Sequence, residues 1–181
     1  MKNFALLILC VVTVFLQLSA EGVFFSARRI PDLALALVIT LVLTMGFKES
    51  LKWILLTGIL IDAGSSTVFG TAALAYFLVG WMVAGLIDVA DIRSRKTFFL
   101  AAFAATVLVS EIVKDIFIFV IFKIKANFLH EPFSASLNNF SADYFFKILY
   151  TIIAAYAIYY IFRRVSRALF LEPVRLVKRN Y

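Results

Sequence analysis

The chain has 181 residues, of which 64% are hydrophobic and 16% charged, with a formal net charge of +7 and a mean hydropathy of +0.99. A soluble domain carries roughly 45–50% apolar and about 25% charged residues, so lipid rather than water must solvate most of this surface. That balance excludes a disordered protein, a collagen, a disulfide scaffold and a soluble nucleic-acid binder.

At ~20 residues per span, the apolar content makes five or six spans and leaves no room for a soluble domain. The expectation is an all-α integral membrane protein, a single membrane domain over residues 1–181 built as a bundle of about six transmembrane helices. The first span covers about 4–20. Lys2, the apolar run and Ser19-Ala20 have the outline of a signal peptide. The run is longer than a usual signal core, however, and Val23-Phe24-Phe25 continues it, so it reads as a retained span. Cys10, the single cysteine, permits no internal disulfide and reads as a small buried hydrophobe.

Arg28-Arg29-Ile30-Pro31-Asp32 interrupts the chain, and Pro31 suits the first turn of a helix, where a missing N–H costs nothing. The second span, about 33–45, is short for a ~30 Å hydrocarbon core. Gly46-Phe47-Lys48-Glu49-Ser50 reads as a tight polar turn. The third span, about 51–61, ends at Asp62 and is followed by the small, turn-like stretch Ala63-Gly64-Ser65-Ser66-Thr67-Val68-Phe69-Gly70. The fourth span covers about 71–87. The fifth covers about 97–122 and is broken by Glu111, Lys114 and Asp115. A polar loop, about 123–143, leads to a sixth at about 144–162, and 163–181 is a basic cytoplasmic tail with apolar residues interleaved for the inner leaflet.

Lysine and arginine divide unevenly between the two sides. Twelve of the 18 fall on the side of Lys2, Lys48, Lys52, Arg93, Arg95, Lys96 and the tail, and five on the other, with Lys114 inside a span. Positive charge stays cytoplasmic, so both termini are expected inside. The charge serves orientation and contact with membrane lipids, not nucleic acid.

Three places could carry function. Asp62 at a span end either caps a turn sheltered within the membrane, or pairs with a cation at a contact site there, or meets water at the outer face, with Gly58, Gly64, Ser65 and Gly70 shaping that turn. Glu111, Lys114 and Asp115 lie on one helix face at spacings that let Lys114 neutralise Glu111. They read as a proton or ion path, as an ion pair that locks two helices, or as the outer end of a span. Gly80, Ala84 and Gly85 give the fourth span a small face for close packing. His130, the only histidine, lies in the outer loop beside Glu131 and Pro132. With no metal-ligand spacing, nucleophile motif or phosphate-cradling loop, no enzyme, cofactor or metal is expected.

Ile30-Pro31-Asp32-Leu33, an apolar span, and then Gly58, Asp62 and Gly70 in that spacing resemble the rod shape-determining protein MreD family. The resemblance covers about 28–87; here Ile30 separates Arg28-Arg29 from the proline, and the second half matches only in hydropathy. It implies a fold similar to the substrate-binding subunits of energy-coupling-factor transporters. It also implies a non-enzymatic scaffold of the cell-wall elongation machinery in the bacterial inner membrane, a regulator of cell shape in peptidoglycan biosynthesis. The implied partners are an MreC-type bitopic protein, a RodA-type glycosyltransferase with a class B penicillin-binding protein, and indirectly the MreB filament. Pro31-Asp32 and the Asp62–Gly70 turn would shape the surface that holds a partner's helix. The competing reading, from the same fold, is a vitamin-type small-molecule-binding transporter subunit.

Overall fold

The most apolar stretch of the chain, LALALVITLVLTM, carries no charge on any side and forms the centre of the molecule. The computed structural model describes residues 2–23, 30–65, 68–90, 96–129 and 142–170. Their order is α1 (Lys2–Val23), α2 (Leu33–Met45), α3 (Phe47–Gly64), α4 (Thr71–Ala90), α5 (Lys96–Leu129) and α6 (Ala142–Phe170). No strand occurs among the described residues. Helix α2 packs against each of the other five, and every side chain from Ala34 to Val42 is fully buried. An element buried on all sides needs no polar face, which is why α2 has no amphipathic pattern.

Thirteen residues make α2 ~20 Å long, short of a ~30 Å hydrocarbon core. Its end groups are therefore met by protein. At the start, Asp32 Oδ1 accepts from the Leu35 N–H at 2.8 Å, and Gln17 Oε1 of α1 accepts from the Leu33 N–H at 2.8 Å. At the far end, the Gly46 N–H donates to the Val42 carbonyl at 3.0 Å. Gly46 sits at φ +82°, a conformation that costs glycine little, and turns the chain in one residue.

That single residue is the whole turn between α2 and α3. The expected polar turn over Gly46–Ser50 is corrected: Phe47–Ser50 form the first turn of α3, where the Ser50 hydroxyl bonds back to the Gly46 and Phe47 carbonyls at 2.7 and 3.0 Å. Glu49 in that first turn also suits the positive end of the helix dipole. Helix α3 continues through Asp62 to Gly64, so the expected span of 51–61 is too short at both ends. The expected loop from Lys123 is likewise displaced, since α5 runs unbroken through Lys123 and Lys125 to Leu129, and α6 continues past Arg163 to Phe170. The remainder of the loop, with His130, Glu131 and Pro132, lies outside the described residues, as do Arg28-Arg29 and the end of the tail from 171.

Two helices, α1 over Asn3–Ala20 and α6 over Tyr144–Arg164, are long and apolar enough to cross a membrane; Leu33–Met45 and Thr71–Ile87 are shorter apolar helices. Large apolar side chains face outward on every peripheral helix: Phe15 on α1, Ile59 on α3, Trp81 on α4, Leu108 on α5 and Ile153 on α6, each 41–69% exposed. A surface of this kind is ordinarily covered by lipid or protein.

Candidate functional site

Asp32 begins the site. Pro31 and the N-cap role of Asp32 fix its backbone at the head of α2, and its carboxylate is buried at 5% exposure. The Asp32 N–H donates to Thr151 Oγ1 of α6 at 3.0 Å, and the Thr151 hydroxyl in turn donates to the Lys147 carbonyl at 2.9 Å. Tyr76 of α4 donates its hydroxyl to Asp32 Oδ1 at 3.4 Å. The second carboxylate oxygen accepts from Lys114 Nζ of α5.

Lys114 also reaches Glu111 Oε2 at 3.3 Å and Asp115 Oδ1 at 3.8 Å. On the other side of Glu111, Lys147 of α6 approaches Oε1 at 2.6 Å and Asp115 Oδ2 at 3.7 Å. The Lys147 ammonium lies 5.7 Å from the centre of the Tyr144 ring, within cation–π range. Glu111 is fully buried and Lys114 is 6% exposed. Three carboxylates and two ammonium groups thus join α2, α5 and α6 in one chain of contacts. An isolated charge in such surroundings is prohibitively costly, whereas a paired and hydrogen-bonded one is tolerated. Asp115, with 34% of its side chain exposed, and Lys147, with 17%, open the network outward.

Among the described residues no group of three or more His, Cys, Asp and Glu is arranged to hold a metal ion. Lysine ammonium groups stand between the carboxylates of the network.

The Asp62 region is a separate place. From the last turn of α3, its carboxylate accepts from three backbone N–H groups at the start of α4: Gly70 and Ala73 on Oδ2 at 3.0 and 3.1 Å, and Ala72 on Oδ1 at 2.9 Å. These are among the orphan donors that any helix start must satisfy, and the negative charge faces the positive end of the α4 dipole. Gly70, at φ +95°, makes the entry to α4. Ser65 caps α3 by donating its N–H to the Ile61 carbonyl at 2.9 Å. The aspartate caps a neighbouring helix, and the alternative in which it meets water at a span end is corrected by its 3% exposure.

Gly58 and Gly64 act by size. A Cβ on Gly58 would lie 2.3 Å from the Ala73 Cα, so α3 and α4 touch backbone to backbone there, while one on Gly64 would meet Leu18 of α1 at 2.2 Å. Of the expected small face on α4, Gly80 packs on Ile54 and Phe47 of α3, whereas Gly85 opens outward with nothing near it.

Sequence reasoning missed Lys147, Thr151, Tyr76 and Gln17 as members of the site. Lys147 had one available signal: it is a cation three residues inside an apolar run that begins at Tyr144. No family model, curated protein or solved structure matches the chain. A shallow groove of about 220 Å³ lies elsewhere, between α5 and α6, lined by Phe103, Ala104, Ile152, Ile153 and Tyr156.

Proposed function

We propose that this chain is a non-enzymatic membrane scaffold, a six-span bundle of the bacterial inner membrane with both termini cytoplasmic, serving the cell-wall elongation complex as the MreD-like motif suggests. The observation that carries the reading is where the buried charges go. Asp32, Glu111, Lys114 and Lys147 are spent on joining three helices, and Asp62 is spent on capping a fourth. A catalyst or carrier needs polar groups that converge on a cavity with valence to spare. The groove between α5 and α6 is apolar apart from Tyr156 and does not include the network. That favours a rigid body that presents outer surfaces to partner helices over the vitamin-type binding subunit.

In this reading the network fixes the relative positions of α2, α5 and α6, and the Asp62 cap fixes the α3–α4 hairpin. The partners are an MreC-type bitopic protein together with a RodA-type glycosyltransferase and its class B penicillin-binding protein. Native mass spectrometry after gentle extraction from the cell's own membrane tests it. A bitopic or multi-pass cell-wall protein is expected to travel with the chain at fixed stoichiometry. A bound small metabolite with a companion ATPase module would overturn the scaffold in favour of a transporter subunit.

A further inference from the structure

Tyr156 is out of place for a residue facing lipid. Along α6 it lies ~18 Å from Tyr144 and ~11 Å from Arg163 at 1.5 Å per residue, close to the middle of the apolar window Tyr144–Arg164. Tyrosines facing a bilayer collect at its two interfaces, where the hydroxyl meets water or headgroups. Helical side chains lean toward the helix N-terminus, so the Tyr156 hydroxyl leans toward the centre of that window and away from the nearer, Arg163 end. Snorkelling is closed to it. The residue is 44% exposed, and among the described residues its hydroxyl makes no hydrogen bond. Tyr159, by contrast, turns inward against the Phe103 ring at 5.9 Å.

Acyl chains offer no acceptor, and a hydroxyl without one in hydrocarbon is costly. Tyr156 and Ala104 both line the groove, and Ala105, next to Ala104, is exposed. Small residues along a groove let a second helix approach closely. A second copy of this chain would bring a hydroxyl to this groove from the exposed tyrosines of its own α6, Tyr156 included, whereas Val11, Leu55, Ile59 and Trp81 of its other helices bring no side-chain oxygen. We infer that the α5–α6 groove seats one transmembrane helix of a partner protein, which presents a Ser, Thr, Asn or Gln oxygen at mid-span to the Tyr156 hydroxyl. The inference rests on the scaffold reading and names the surface that reading requires.

The test is photo-cross-linking of the full chain in its own cells, with a benzophenone amino acid in place of Ile153 in the groove or Trp81 on α4. Each is made in the native background and with Tyr156→Phe or Ala104→Leu. From Ile153 the expected adduct is with a protein whose cross-linked span carries one of those four residues at mid-depth. Its yield should fall about three- to ten-fold with Tyr156→Phe, as for the loss of one interhelical hydrogen bond, and likewise when Ala104→Leu fills the groove. Adducts only to lipid or to a second copy, or a yield indifferent to Tyr156→Phe at equal protein level, overturn the inference. A partner captured from Trp81 alone would leave the scaffold standing and remove the groove from it. If no protein is captured from either position and none co-extracts with the chain, both fall.

Discussion

Lys114 is the residue on which the central contacts depend, since it alone reaches Asp32, Glu111 and Asp115. Lys114→Met would leave two buried carboxylates with Lys147 as the remaining cation. Breaking a buried pair from one side costs about 3–5 kcal/mol because the abandoned charge stays in the interior, and a loss of that size is the expected outcome. Thermal unfolding in detergent or nanodiscs reads it, and a variant as stable as the parent would show that the network carries no stability. Replacing both partners, Lys114→Met with Asp32→Asn, should recover a large part of the loss, because the abandoned charge is then gone. Half of this network was legible in the sequence. Spacings of three and four residues on a helix announce a shared face, and Glu111 and Lys114 do meet at 3.3 Å. Asp32 and Lys114 stand 82 residues apart, and nothing in local pattern couples them. Only the packing of α2 against α5 and α6 does so.

Between elements, the α3–α4 hairpin is held by one aspartate and one glycine that do different physical work. Asp62→Ala would strand three N–H groups at the start of α4, and loss of a helix cap costs about 1–2 kcal/mol. Gly58→Ala would push a methyl group against the Ala73 backbone, which cannot yield as a side-chain tip can; overpacking of this kind costs about 1–3 kcal/mol. Gly85→Ala supplies the contrast. It adds the same methyl group into open space and should be neutral or slightly stabilising, by up to about 1 kcal/mol, since alanine is the better helix former. Unfolding midpoints for the three variants check the order, and a destabilising Gly85→Ala with a silent Gly58→Ala would contradict the backbone contact. The existence of each helix was readable from hydropathy, as were both ends of α2 and the start of α4, but the ends of α3 and the far end of α5 were not. Lys48, Glu49 and Ser50 look like a loop by composition, yet Gly46 completes the turn alone and frees them to start α3. Lys123 and Lys125 look like a loop for the same reason, and as good helix formers with exposed side chains they continue α5 without cost.

At the scale of the whole molecule, large apolar side chains are exposed on every peripheral helix, and the proposed six-span bundle would cover them with lipid or partner helices. Helix α3 is the informative case. Its charges Lys48, Glu49 and Lys52 crowd one end and Asp62 the other, which lowers its average apolarity, but between them the outward residues Leu55 and Ile59 are apolar. Eighteen residues make it ~27 Å long, but the uncharged stretch 53–61 supplies only ~14 Å of that, well short of the ~30 Å hydrocarbon core. If α3 crosses the membrane, its two ends face opposite compartments; if only α1 and α6 cross, both ends of α3 share one side. Single-cysteine variants in a Cys10→Ala background separate these arrangements. Cys10 is buried at 0% exposure, so its removal leaves the labelled surface unchanged. Lys48→Cys and Phe69→Cys place thiols at exposed positions at the opposite ends of the hairpin. With both termini cytoplasmic, a membrane-impermeant maleimide should label Phe69→Cys in spheroplasts and Lys48→Cys only after lysis. Labelling of both in intact spheroplasts, or of neither, would remove α3 as a span and with it the six-span bundle.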